Sequence, residues 1–118
     1  MIYPQATYLH AFSCREHRIV MQKSTTPVRD IQVEVARHFG IPLRLMTERD
    51  MVQPAPLARQ VAMFLAHSRL NIGSSDIGRR FKRDHSTVCH GIRRVEHRLA
   101  HDAAFRFEMD RLLHAVRG

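Results

Sequence analysis

The chain has no tryptophan, only two cysteines, five glycines and five prolines, and 11 acidic side chains against 19 Lys+Arg. Each shortage excludes something. Cys14 and Cys89 stand far apart and form no CxxC pair, so they read as reduced thiols in a cytoplasmic protein. The longest unbroken apolar run is VAMFLA at 61–66, too short for a membrane span, and MIYPQATYLH at the start lacks both the charged and the long apolar region of a secretion signal. No GxxxxGK[ST] phosphate loop occurs, so no nucleotide-driven motor and no nucleotide cofactor are expected.

What is present is positive charge. At 118 residues the chain holds one core, and its net charge of +8 stands before any of nine histidines titrates. Lys23 and Lys82 are the only lysines, which leaves 17 arginines among the 19 cations. Planar guanidinium groups favour bidentate contacts to phosphates and base edges, so a polyanion is the expected partner.

Residues 1–27, ending in KSTTP, have no clear period and read as a loosely ordered arm or a short appended element. From 28 to 118 the apolar rhythm is helical. Val28, Ile31, Val35, Ala36 and Phe39 predict a first helix stopped by Gly40 and Pro42, with a short helical piece at 42–46. TERDMVQPAP at 47–56 reads as a loop, and Pro56 suits the first turn of a helix to about Leu70, with Leu57, Val61, Phe64 and Leu65 on its core face. After NIGSS, Ser74 or Ser75 is expected to cap a short helix carrying Ile77 and Phe81. Asp84 is placed as the cap of a helix over 85–100, and Phe105, Met109, Leu112, Leu113 and Val116 mark a last helix over 102–116. The fold class is all-α, a helix-turn-helix domain of about five or six helices.

Between Ile77 and His101 lie Arg79, Arg80, Lys82, Arg83, Arg93, Arg94 and Arg98, opposed only by Asp84 and Glu96. Most of the net charge therefore sits on one helix pair. A short helix, a tight basic turn and a longer helix with a polar first turn make a helix-turn-helix, whose second helix enters the major groove N-terminus first. Val88, Ile92, Val95 and Leu99 should pack inward, leaving Ser86, Thr87, His90, Arg93, Arg94 and His97 outward. Aspartate can accept from cytosine N4, histidine can bond a purine edge, and serine or threonine can serve either partner. Each residue alone has a plainer reading: Asp84 as a cap, His85 as an exposed side chain, Thr87 as a capping residue, and Arg93 and Arg94 as a solvated face. Together, beside the charge cluster, they favour DNA.

ARQVAMFLA at 58–66, DIGRRF at 76–81 and RDHSTVCHGIRRVE at 83–96 closely resemble the C-terminal DNA-binding domain of the bacterial replication initiator DnaA, with its PRQ-AM-L, EIG-F and RDHTTV-HA helices. The resemblance runs over roughly 28–118 in the same order. It implies a Trp-repressor-like all-α fold and double-stranded DNA as partner at a DnaA-box-like site. By position it also implies base contacts from Asp84, His85 and Ser86, and phosphate contacts from Arg59 and Thr87. Lys82, Arg83, Arg93, Arg94 and Ser75 are the further phosphate candidates. The family's minor-groove arginine has one candidate here, Arg49, flanked by Glu48 and Asp50.

The sequence also departs from the family. Only Lys82 stands where the family has two glycines, so the turn is one residue shorter, and Ser86 replaces a threonine and its methyl group. The expectation is a nucleoid-associated, monomeric, stand-alone reader of duplex DNA that regulates replication initiation or transcription, without ATPase activity, cofactor or membrane. An enzyme or metal protein finds little support, since His97 and His101 have i, i+4 spacing but no HExxH or third ligand accompanies them. A protein-interaction module that turns the basic helical face on an acidic partner of the replication machinery stays open as the alternative.

Overall fold

The computed structural model describes residues 27–117, and there the apolar spacing becomes five α-helices and one 3-10 turn. Helix α1, Val28–Phe39, buries Val28, Ile31, Val35 and Ala36. Asp30 in its first turn and Arg37 and His38 in its last complement the helix dipole. Gly40 ends it with φ at 69°, and the Ile41 N–H donates to the Ala36 carbonyl at 3.0 Å. That closure needs a left-handed residue, which glycine supplies without a Cβ clash. The 3-10 turn Leu43–Met46 follows Pro42 and buries Leu45 and Met46.

Helix α2, Ala55–Leu70, is the centre of the molecule. The loop before it is shorter than expected: Ala55 already starts the helix and Pro56 lies in its first turn. The expected single core face is also corrected. Ala58, Val61, Ala62, Met63, Phe64, Leu65 and Ala66 are all 0–2% exposed, while Leu57 lies at the partly buried margin. The small alanines let neighbours approach on several sides, and α1, the 3-10 turn and both helices of the following pair pack against α2. A helix apolar on most sides belongs inside a core rather than along one edge of it.

Helix α3, Ser74–Phe81, starts after Gly73, which holds the extended cap position and gives no side-chain bond. Neither Ser74 nor Ser75 is the cap; both stand in the first turn. Helix α4 spans His85–His101 and α5 spans Ala103–Arg117. Asp102 joins them: its Oδ1 accepts from the Phe105 N–H at 3.0 Å, capping α5. The corner is closed by Arg98, whose guanidinium lies 4.6 Å from the centre of the Phe105 ring and pairs with Asp102 at 3.4 Å. Phe105, Met109 and Leu112 are buried, and Leu113 and Val116 pack against the core from the same helix. His38 and Glu108, 2.8 Å apart, link α1 to α5 at the surface.

Phe64, Phe81 and Phe105 anchor α2, α3 and α5 in one core, and each such side chain contributes about 1.5–3 kcal/mol when fully buried. The α3–α4 pair is thus seated on α2 as on a platform, with its outer face free. The arm expected at 1–27, with Cys14 in it, lies outside the described residues apart from Pro27. No helix among the described residues is long and apolar enough to cross a membrane.

Candidate nucleic-acid interface

The turn between α3 and α4 is built from three adjacent residues. Lys82 adopts a left-handed conformation, φ 57° and ψ 46°, and the Arg83 N–H donates to the Gly78 carbonyl at 2.8 Å. One left-handed residue therefore closes the turn, at a conformational cost of about 1 kcal/mol for a side chain in that region. Gly78 makes the short turn possible. A Cβ there would lie 2.5 Å from the Arg83 carbonyl oxygen, closer than side-chain carbons approach backbone oxygens.

Asp84, extended at φ −79° and ψ 167°, caps α4. Its Oδ1 accepts from the Thr87 N–H at 2.9 Å and from the Ser86 hydroxyl at 3.3 Å. The Thr87 backbone bond, then its hydroxyl, and to a smaller degree Ser86 and His85, hold the Asp84 carboxyl below the usual aspartate range. Asp84, His85, Ser86 and Thr87 are all exposed, and the helix enters the core only at Val88. The first turn of α4 is thus a projecting set of hydrogen-bonding groups on a fixed stem, with Val88, Ile92, Val95 and Leu99 buried beneath it.

Behind this turn, Ser86, His90, Arg93, Arg94 and His97 share the exposed face of α4, as their spacing predicts. A groove runs between that face and the start of α2, with Gln53, Leu57 and Gln60 on one wall and His90, Arg93, Arg94, His97, Arg98 and His101 on the other. Asp102 is its single carboxylate. The amides of Gln53 and Gln60, and His101, were missed in the sequence as lining groups. For His101 the signal was there, since it follows His97 at i, i+4, and their rings stack with centres 4.2 Å apart. Among the described residues no three His, Cys, Asp or Glu side chains are grouped to hold a metal ion. Cys89 is partly buried, its Sγ 3.8 Å from His85 Nε2.

Lys82 is exposed in the turn, and Ser75 is exposed at the other end of α3, in its first turn. Two other expected phosphate ligands are not available in the same way. Arg59 is 5% exposed, and its guanidinium donates to the carbonyls of Leu45 at 2.9 Å, Glu48 at 3.3 Å and Asp50 at 2.8 Å. Arg83 donates to the carbonyls of Thr47 at 3.2 Å, Phe81 and Lys82 at 3.1 Å each, and Glu48 at 2.9 Å. These carbonyls lie in the 3-10 turn, the loop after it and the C-terminal end of α3 with its turn, where helical donors run out, and the two side chains supply one. Burial, then the neighbouring Arg83, lowers the Arg59 pKa, with Asp50 opposing; burial, then Arg49, lowers that of Arg83. Arg49 itself is exposed and lies near enough to Arg83 to act on its charge. Beyond it Met51 and Val52 are 82% and 73% exposed at the loop tip, and Asp50 Oδ1 accepts from the Val52 N–H at 2.9 Å.

Residues 28–95 match the family described as bacterial dnaA protein helix-turn-helix. The chromosomal replication initiator protein DnaA of Streptococcus thermophilus (strain ATCC BAA-491 / LMD-9) is 35% identical over 92 residues, which is 77% of this chain and 20% of that protein. The proteins of the same description from Streptococcus agalactiae serotype Ia and Streptococcus mutans serotype c are each 33% identical, with the same coverage. The chain thus matches a fifth of the length of these relatives.

Proposed function

Because the chain belongs to the helix-turn-helix family of bacterial DnaA proteins, we propose that it reads double-stranded DNA at a DnaA-box-like site through the first turn of α4, and that occupancy of such sites regulates replication initiation or transcription. The observation that carries this reading is the exposed Asp84 to Thr87 turn, anchored by Val88 and backed by a basic helix face. Asp84, His85 and Ser86 meet base edges in the major groove. Asp84 accepts from an exocyclic amine, and His85 and Ser86 each bond an edge whose identity the selected site will reveal. Thr87, Lys82, Ser75, Arg93 and Arg94 meet the phosphates on either side and set the register of the helix. Arg49 reaches toward the adjacent minor groove. The domain binds as a monomer on an asymmetric site.

Fluorescence anisotropy with a duplex carrying a DnaA box and a scrambled duplex of the same composition tests this reading across a salt series. Affinity for both should fall linearly in log K against log salt, with a slope of about −0.9 for each phosphate neutralised, and the box should bind more tightly at every salt concentration. Equal affinity for the two duplexes would contradict sequence reading, and salt-independent affinity would contradict the phosphate contacts.

A further inference from the structure

We propose that Arg83 and Arg59 are positioning residues for DNA reading, a clasp that sets the reading turn of α4 against the segment at 44–50. The inference rests on the DNA-reading function proposed above. Its structural basis is a set of carbonyls shared by two cations. Arg83 lies between the left-handed Lys82 and the cap Asp84, and it reaches two carbonyls of its own turn, Phe81 and Lys82, and two of the loop, Thr47 and Glu48. Arg59, from the first turns of α2, reaches Leu45, Glu48 and Asp50. The Glu48 carbonyl accepts from both.

Two guanidinium groups repel each other, so they settle side by side only where oxygen lone pairs face them. Here the oxygens belong to the backbone of two different segments, and the result is a fixed distance between loop and turn. The Nη1 and Nη2 groups of both arginines face these carbonyls, which fixes each guanidinium in place between the two segments. The clasp also explains why the residue is arginine. A lysine keeps the charge, but its ammonium is a compact point that cannot span carbonyls on both sides as a planar fork does. Once the turn is free to tilt, base contacts that demand alignment fail first, and phosphate contacts that tolerate it survive.

Arg83→Lys separates the two roles, with Arg94→Gln as the comparison for a phosphate ligand. Binding of the wild type and both variants is measured on the preferred and scrambled duplexes across salt, with far-UV circular dichroism to check the fold and amide hydrogen exchange to follow residues 47–52. For Arg83→Lys the expected result is a loss of discrimination of about tenfold, a retained salt slope and faster exchange in the loop. Arg94→Gln should lose affinity on both duplexes alike, and its slope should shrink by about 0.9. A folded Arg83→Lys that still discriminates like the wild type would overturn the proposal, as would equal loss on both duplexes with unchanged loop exchange. If Arg83→Lys does not fold, Arg59→Lys carries the same test, and failure of both to fold would assign the clasp to stability and overturn its positioning role. A wild type that binds the two duplexes equally would bring down the DNA-reading function itself, an outcome visible before any variant is compared.

Discussion

In the proposed function, His85 and Asp84 put folding and recognition in the same short turn. Asp84 caps α4 from an extended backbone, and its acceptor geometry is set by bonds from Thr87 and Ser86. His85, next along, is exposed, and its one contact within the helix is the Cys89 thiol 3.8 Å from Nε2. Replacing His85 with alanine should therefore leave the fold intact and remove about 1–3 kcal/mol of binding on the preferred duplex, with little change on a scrambled one. Parallel anisotropy titrations read this directly, and equal losses on both duplexes would show that His85 does not read bases. The positions of Asp84, His85, Ser86 and Thr87 were legible in the sequence because a cap followed by an apolar i, i+4, i+7 series locates a helix start. The carbonyl contacts of Arg59 and Arg83 were not. Their partners are backbone carbonyls of a loop, and a carbonyl leaves no residue-type signature. An arginine bonded to backbone carbonyls looks the same in a sequence as one that faces solvent.

At the scale of elements, α1, α4 and α5 followed their periodicity, because each has one broad apolar stripe and a polar remainder. Helix α2 did not reveal its central place. Ala58, Ala62 and Ala66 are weak hydrophobic signals alone, and only packing from several sides turns them into core. The cap of α3 was also misplaced, since two serines offered an obvious candidate while Gly73 supplied the extended backbone. The caps that do form, Asp84 on α4 and Asp102 on α5, link folding to pH. In each the backbone N–H it accepts, from Thr87 and Phe105 respectively, is the first cause of a carboxyl held below its ordinary range. A depressed folded pKa adds stability that is complete above the unfolded aspartate value near 3.9 and lost as pH falls through the folded value. Glu96 acts in the opposite sense: burial raises its pKa against the pull of Arg93, so its ionisation opposes folding as pH rises through the carboxylate range. Asp84→Asn and Asp102→Asn keep a capping oxygen but cannot titrate. Each variant should lose less stability than the wild type between about pH 5 and about pH 3, measured by urea unfolding. Identical acid profiles would show that the caps carry no proton linkage.

For the whole molecule the organising fact is where the charge is placed. The chain carries +8, and the cations between Arg79 and Arg98 lie on one helix pair seated on an apolar platform. Such a field draws any duplex, so affinity alone cannot establish that the turn of α4 reads sequence. Discrimination can. The most direct measurement is selection of bound sequences from a randomised duplex pool at fixed moderate salt, followed by affinities for the selected and scrambled duplexes. The account predicts one asymmetric motif, with the selected duplex bound at least about a thousandfold more tightly than the scrambled one. A pool that stays random through successive rounds, with the two affinities equal, would contradict it.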